Sequence, residues 1–209
     1  MPDEGVDRNK RATLRRFAAV GTAGSLARLV DGDAGTDGGD GDSSSDARDA
    51  LTGYVAATPG AHFSKIRDDL SLGTGETQYH LEKLVDDGTI ESRRDGDYRR
   101  YFVAGRFSAF EQRALGYLRR DTPRGMVLAL LRRPEVPASE LANRLDVSRP
   151  TVSKYAGELE SVGLLSRTNG YALRRPETLL VLLVRYADSF GEDVPEFAAE
   201  ADDLVRFDR

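Results

Sequence analysis

The feature that most constrains the fold of this chain is an internal repeat with a shift of 75 positions. Apolar positions coincide under this shift, without a gap, over about 30 residues. Five identical pairs and three equivalent apolar pairs define it: Pro59/Pro134, Ser64/Ser139, Leu70/Leu145, Leu84/Leu159, Gly88/Gly163, Ile66/Leu141, Leu72/Val147 and Ile90/Leu165. Such a repeat indicates that one supersecondary unit occurs twice. The chain of 209 residues is long enough for two small domains.

The second copy predicts two helices followed by a strand. In "PASELANRLDVSRPTVSKYAGELESVGLLSR", Ser139 begins a short helix that places Leu141 and Leu145 on one face. The Asp-Val pair that follows forms a turn, and Ser148 has the chemistry of an N-cap, with a proline in the first turn of its helix. This helix buries three residues and is followed by a terminating glycine and two strand-forming leucines: Val152, Ala156, Leu159, Gly163, Leu164 and Leu165.

Two helices joined by a tight turn, then a glycine and a short strand, are typical of a winged helix-turn-helix. The segments "VSRPTVSKYAGELESVGLLSR" and "GETQYHLEKLVDDGTIESRRDGDYRRYF" are similar to the recognition helix and wing of MarR-type and ArsR-type regulators. Over residues 51–190 the chain resembles the tandem winged-helix proteins of halophilic archaea. The resemblance implies a mainly α fold with small β-wings (α+β), in which two tandem winged helix-turn-helix modules are joined by a helix.

The resemblance also implies a function. It predicts a cytoplasmic regulator of transcription that binds double-stranded DNA in a sequence-specific way, as a homodimer. Its recognition helices would enter major grooves, and its Arg-rich wing would contact the backbone or the minor groove. The alternative is a protein-interaction module of the transcription or replication machinery, because winged helices also serve as docking surfaces.

The chain is predicted to divide into six segments. They are an N-terminal arm over 1–30, a disordered acidic linker over 31–49, a first winged domain over 50–105, a connecting helix over 106–121, a second winged domain over 122–175 and C-terminal helices over 176–209. The arm, with Arg15 and Arg16 before Phe17, superficially resembles a twin-arginine export signal, but its apolar run is short and interrupted by Arg28. We favour a short amphipathic or disordered cytosolic arm. No segment has the ~18 consecutive apolar residues of a membrane helix.

Charge is segregated along the chain. The formal net charge is −5, yet residues 90–133 contain 11 arginines against five acids, so a basic surface is local. The chain contains only four lysines, and its other basic residues are arginines. It has no cysteine, which excludes disulfides, thiolate metal sites and thiol catalysis. This Asp-rich, Lys-poor composition resembles that of halophilic proteins.

The candidate DNA-binding residues lie on both second helices of the repeat and on the first wing. The candidates are the polar and cationic side chains that are not needed for packing, because such groups bind phosphates and base edges. In the second copy these are Ser148, Arg149, Thr151, Ser153, Lys154 and Tyr155. In the first copy they are Thr74, Gln78, Tyr79 and Lys83. Thr77 and His80 also lie at outward positions, but Thr77 is expected to be partly buried and is not a contact. The alternative is a solvated polar helix face.

The stretch "ESRRDGDYRRYF" predicts a hairpin that carries Arg93, Arg94, Arg99 and Arg100. Neighbouring residues of a strand point to opposite faces, so one arginine of each pair is expected to share a surface. The other two can fold back onto Asp95 or Asp97, or reach phosphates from the other side. All four are DNA-binding candidates.

The remaining residues give no support for an enzyme. No Ser-His-Asp order, glycine-rich phosphate loop or pair of carboxylates stands out, and His62 and His80 have no metal-ligand spacing. We therefore expect no cofactor and no metal. In "RPETLLVLLVRYADSF", the apolar run from Leu179 to Val184 predicts a helix that packs in the core or forms a dimer interface. The segment after Pro195 is expected to dock weakly or fray.

Overall fold

A computed structural model describes Phe17 and residues 41–134 and 136–201, without the side chains of 41–44. It divides the chain into two compact units, Met1–Arg106 and Phe107–Arg209. The predictions for the arm, apart from Phe17, and for residues 31–40 lie outside the described residues. Over the part that is described, no helix is both long and apolar enough to cross a membrane.

Unit 1 contains three helices and one hairpin in its described part. In chain order they are α1 (Gly41–Ala57), α2 (Phe63–Leu70), α3 (Thr74–Asp86), β1 (Ile90–Asp95) and β2 (Tyr98–Val103). Apolar residues spaced for one face of each helix form the core, as Leu51 and Tyr54 do on α1 and Ile66 and Leu70 on α2. Phe17 packs against this core, with its ring edge-on to Tyr54 at 5.1 Å between centroids.

Helix caps and glycines with positive φ set the turns of unit 1. His62 is the N-cap of α2. Gly73 is the N-cap of α3, and its N–H donates to a Glu76 carboxylate oxygen at 3.3 Å. Gly88, at φ 73°, adopts the left-handed conformation that lets the chain leave α3 for β1. A two-residue loop joins the antiparallel strands, with Gly96 at its first position at φ 60°.

The strand β2 is paired on both sides. Its register with β1 sets Arg93 opposite Arg100 and Arg94 opposite Arg99. On its other edge, the backbone of His62 forms an isolated antiparallel bridge with Arg100. The Tyr101 N–H donates to the Ala61 carbonyl at 3.1 Å, which ties the hairpin to the start of α2.

Unit 2 contains a larger set of elements. They are α4 (Ala109–Leu118), α5 (Asp121–Arg132), α6 (Ala138–Arg144), α7 (Arg149–Ser161), β3 (Leu165–Ser166), β4 (Ala172–Leu173), α8 (Pro176–Arg185), a 3-10 turn (Ala187–Ser189) and α9 (Asp193–Ala199). The predicted helix over 106–121 is α4. The Ser108 hydroxyl accepts from the Glu111 N–H at its start, and Glu111 accepts from the Ser108 N–H in return.

The structure confirms the predicted start and end of α7. Ser148 is its N-cap, and its hydroxyl accepts from the Thr151 N–H at 3.2 Å. The three predicted apolar residues are buried, and Gly163 follows the helix at φ 76°. The α6 helix begins one residue earlier than predicted, at Ala138.

Three predictions need correction or extension. Residues 41–49 form the first half of α1, so the predicted disordered linker is wrong for them; Ala47 and Ala50 are buried against the core, which offsets the weak helix signal of this stretch. The α5 helix was not predicted as a separate element. The prediction that the segment after Pro195 docks weakly or frays is wrong for residues 195–201, the part that is described, because Phe197 is fully buried. Just before this segment, Val194 is also fully buried, and Asp193 forms an ion pair with Arg124 at 3.0 Å.

Candidate nucleic-acid interface

The α7 helix presents an exposed polar and cationic face. Arg149, Ser153 and Lys154 are exposed, and the side chain of Lys154 is 70% exposed. Lys154 lies over the Tyr155 ring, 5.6 Å from its centroid, and 3.9 Å from a carboxylate oxygen of Glu158. An ion pair this long and this exposed is weak, so the ammonium group remains available to a phosphate.

Ser148 and Thr151 have a structural role as well. Their hydroxyl oxygens lie 2.8 Å apart, and the Ser148 oxygen accepts the Thr151 N–H. These hydroxyls complete the first turn of α7. Among the predicted contacts of α7, Arg149, Ser153 and Lys154 are therefore the side chains that are most available to DNA.

The hairpin of unit 2 is short and is held against α7. Arg167 donates its backbone N–H to one carboxylate oxygen of Glu160 at 3.0 Å and its Nε to the other at 2.6 Å. These hydrogen bonds lower the pKa of Glu160, so its carboxylate stays ionised. Arg167 was not predicted to have a role; its charge is engaged in positioning the hairpin.

The exposed face of α3 differs from that of α7. Thr74, Gln78, Tyr79 and Lys83 are exposed as predicted, and Tyr79 is 56% exposed. Lys83 lies 6.0 Å from the Tyr79 ring centroid. Gln78 donates its amide to Glu82 at 3.0 Å, so an adenine would have to compete with that carboxylate.

Two residues of α3 are more buried than the sequence predicted. Thr77, expected to be partly buried, is fully buried, and its hydroxyl donates to the Gly73 carbonyl at 2.8 Å. His80, predicted at an outward position, is buried, and burial lowers its pKa. The helix carries three acids and one lysine, namely Glu76, Glu82, Asp86 and Lys83. Its surface is therefore more acidic than that of α7.

The exposed arginines of the first wing lie side by side. Arg94 and Arg99 are cross-strand partners, so their side chains share one face of the hairpin. In the part of the chain that is described, each uses only its Nε in an internal hydrogen bond, Arg94 to the Gly96 carbonyl at 3.3 Å and Arg99 to the Ser92 hydroxyl at 2.8 Å. The terminal guanidinium nitrogens remain available for phosphate oxygens.

Arg100 is not an exposed contact, which corrects the prediction that it binds DNA. Its side chain is 3% exposed and forms an ion pair with Asp95 through Nε. Its Nη1 donates to the Gly60 carbonyl at 2.9 Å, and its guanidinium lies 5.5 Å from the Tyr98 ring centroid. The prediction that some wing arginines fold back onto Asp95 is confirmed for Arg100. Arg93, its cross-strand partner, is half-buried on the same face.

His62 completes this buried face of the wing. Its ring lies 4.9 Å from that of Tyr98, and its Nδ1 accepts the Lys65 N–H at the start of α2. Burial, together with the nearby Arg100 charge, lowers the pKa of His62 below its usual value of 6.5. His62 is thus a neutral cap that links α2 to the hairpin. Sequence patterns did not reveal this role, because its partners lie about 40 residues away.

The comparison with known families agrees with this geometry. Residues 45–115 match a family model described as HTH_HVO_0163_N, N-terminal HTH domain. The matched range contains α2, α3 and the first wing, and it supports a helix-turn-helix DNA-binding domain in this part of the chain. No curated protein matches the chain. Among the described residues, no group of three or more His, Cys, Asp and Glu side chains is arranged to hold a metal ion.

Proposed function

We propose that this protein is a cytoplasmic transcriptional regulator that binds double-stranded DNA through two winged helix-turn-helix modules in tandem. The observation that carries the proposal is the exposed cationic face of α7 on a capped helix that follows a tight turn. The α3 and α7 helices both have 13 residues and begin at Thr74 and Arg149, 75 positions apart, which supports the tandem arrangement. Each is preceded by a short helix and followed by a hairpin.

Each unit is expected to make a different kind of contact with DNA. Arg149 and Lys154 of α7 read base edges in the major groove, because guanidinium and ammonium groups pair with the acceptor atoms of guanine. Arg94 and Arg99 of the first wing neutralise phosphates, which gives affinity without sequence selectivity. We also propose that Arg93, which is half-buried on the face of Arg100, contacts a phosphate from that side of the wing.

A salt-titrated gel shift with random duplex tests the proposal. We expect binding that weakens linearly on a log–log plot of affinity against salt. A selected target duplex should then bind more tightly than random duplex, and Arg149→Ala with Lys154→Ala should lower that ratio by about 10-fold or more. Lys65→Gln with Arg67→Gln removes the same charge from α2 and should preserve the ratio. Absence of duplex binding at every salt concentration would refute the proposal.

We further propose that the protein forms a homodimer through α8. Leu179, Leu182 and Leu183 are buried within unit 2, whereas Val181 and Val184 are 59% and 42% exposed. Exposed Glu177 and Arg185 lie four residues on either side of Val181. Two antiparallel copies of α8 crossing at Val181 would therefore pair each Glu177 with the Arg185 of the partner helix. Sedimentation should show a dimer that Val181→Glu dissociates; a monomeric wild type at all concentrations would exclude this interface.

The acidity of α3 favours a second candidate for unit 1 alone, which is docking of a basic protein segment. Glu82 and Asp86 are exposed on the helix that would otherwise enter a groove. Substitution of Gln78 and Tyr79 by alanine separates the two functions. A loss of DNA affinity supports groove entry by α3, and an unchanged affinity supports docking.

A further inference from the structure

An exposed tyrosine lies at the tip of the first wing. Tyr98 is the first residue of β2, directly after the two-residue loop, and it is 48% exposed. In the described part of the chain, the other exposed large apolar or aromatic side chains are Tyr79, Val181 and Val184. Tyrosine is enriched where proteins bind their partners, so Tyr98 is a candidate contact. It was not among the residues predicted to bind DNA.

The ring of Tyr98 is held by two neighbours on the same face of the wing. Its centroid lies 4.9 Å from that of the His62 ring, with 34° between the ring planes, and 5.5 Å from the guanidinium carbon of Arg100. Both neighbours are fixed themselves, because His62 is the N-cap of α2 and Arg100 is only 3% exposed. A ring that is already held in place loses little conformational entropy when it binds a partner.

The charges around Tyr98 favour an uncharged part of DNA as its partner. Asp97 is exposed in the loop beside it, so a phosphate at the very tip of the wing would meet a like charge. Asp95, the cross-strand partner of Tyr98, is compensated by Arg100. An aromatic ring packs against the apolar face of a sugar or a base, and this contact needs no counter-charge.

Tyr98 and the exposed arginines of the wing lie on opposite faces of the hairpin. The register places Tyr98 on the face of Arg93 and Arg100, whereas Arg94 and Arg99 share the other face. Successive residues of a strand are ~3.3 Å apart along its axis, so Tyr98 and Arg99 lie almost equally close to the tip. A hairpin tip that enters a groove has DNA on both faces. It can therefore use the arginines on one face and Tyr98 on the other.

We propose that Tyr98 packs against a deoxyribose of the bound duplex, and that His62 is its positioning residue. This contact rests on the proposed DNA-binding function and adds to it a part that does not depend on salt. Contacts between arginine and phosphate release counterions, so they weaken as the salt concentration rises. Packing of an uncharged ring on a sugar releases none. Tyr98 therefore raises the affinity by the same factor at every salt concentration and leaves the salt slope unchanged.

The experiment measures the affinity of the full-length protein for a random duplex by fluorescence anisotropy over a series of KCl concentrations. Tyr98→Ala should weaken binding about 10-fold at each concentration, because the ring is lost, and should keep the slope of log affinity against log salt. Tyr98→Phe keeps the ring and should bind like the wild type. Arg99→Gln, at the next residue of β2, is the matched contrast and should reduce the slope by about 0.9.

A double-mutant cycle tests the positioning role of His62. His62→Asn keeps a capping side chain for α2 but removes the ring that holds Tyr98, so it should weaken duplex binding about 3-fold without a change of slope. In a Tyr98→Ala background the same substitution should have no further effect, because there is no ring left to hold. An equal loss in both backgrounds would show that His62 does not act through Tyr98.

Urea denaturation of each variant separates binding from folding. Tyr98 is half exposed, so its replacement should leave unit 1 folded, and Tyr98→Leu provides a second variant that keeps an apolar contact with His62 but lacks the ring. Wild-type affinity of folded Tyr98→Ala and Tyr98→Leu would overturn the proposal. A loss in Tyr98→Phe as large as in Tyr98→Ala would also overturn it, since the hydroxyl would then be the contact. Absence of duplex binding by the wild type rejects the DNA-binding function itself.

Discussion

The hairpins of the two units show how the same position in a repeat can be built in different ways. In unit 1 the strands have six residues each, and an ion pair between buried Arg100 and half-buried Asp95 holds them. In unit 2 the strands have two residues each, and an exposed pair of Arg167 and Glu160 holds them against α7. The longer hairpin, which exposes Arg94 and Arg99, is thus the one whose ion pair is more fully removed from water.

The helices α3 and α7 also differ between the units, in their N-caps and in the charge of their exposed side chains. The α7 helix has a serine N-cap and exposes a lysine and an arginine, whereas α3 starts at a glycine and exposes more acids than bases. The hairpin with two exposed arginines, Arg94 and Arg99, therefore follows the helix with the more acidic surface. The predictions below test this division between the units.

The largest expected effect is on the anchor of the first wing. Arg100→Ala should lower the free energy of unfolding by about 3 kcal/mol, because Asp95 loses its ion pair with Arg100 and the buried Gly60 carbonyl loses a hydrogen-bond donor. Asp95 is 18% exposed, so water compensates part of the loss. Arg94→Ala, on the exposed face, should change the stability by less than about 0.5 kcal/mol. Urea denaturation measures both, and equal effects would show that Arg100 is no anchor.

The next prediction concerns the exposed face of the same wing. Arg94→Ala with Arg99→Ala should weaken binding to every duplex alike and reduce the slope of log affinity against log salt by about 1.8, or about 0.9 for each lost phosphate contact. The ratio of target to random affinity should stay constant. A changed ratio with an unchanged slope would assign base reading to the wing instead.

A smaller effect is expected at the two N-caps. Ser148→Ala should lower the stability by about 1 kcal/mol, because the Thr151 N–H loses its acceptor. Gly73→Ser should raise it by a few tenths of a kcal/mol, since Gly73 has φ −67° and a Cβ there meets nothing closer than 3.8 Å. Thermal unfolding of both variants compares the caps. An unchanged stability of Ser148→Ala, or a lowered stability of Gly73→Ser, would contradict the assignment of these caps.

The smallest effect is a pH dependence that comes from His62. Its pKa is lowered in the folded state, so the unfolded chain binds the proton more tightly below pH 6.5. Stability should therefore fall as the pH decreases through 6.5 toward the folded-state pKa. His62→Asn retains a capping side chain and should reduce this loss between pH 7 and 5.5, as measured by urea denaturation. If the wild type and His62→Asn lose the same free energy of unfolding over this pH range, His62 is not the source of the pH dependence.

Local signals predicted much of unit 2 and of the site. Ser148, Gly163 and the apolar residues at helical spacing lie as expected, since capping and amphipathicity depend on neighbours in sequence. The α1 helix was missed over 41–49 because its serines and aspartates resemble a linker. Its order comes from alanines that pack on the core of unit 1, and such packing is not visible in local composition.

The sequence by itself determined the repeat, the second copy's N-cap, the glycines that end α3 and α7, and the alternation that puts Arg94 and Arg99 on one face of the hairpin. Only the tertiary structure decided which face is buried. The carbonyl of Gly60 and the ring of His62, brought beside β2 by its pairing with the segment before α2, select Arg100 for the interior. A guanidinium can be buried only where an anion and a hydrogen-bond acceptor lie at fixed positions beside it. For Arg100 the acceptor is the carbonyl of Gly60, which lies 40 residues away in the sequence.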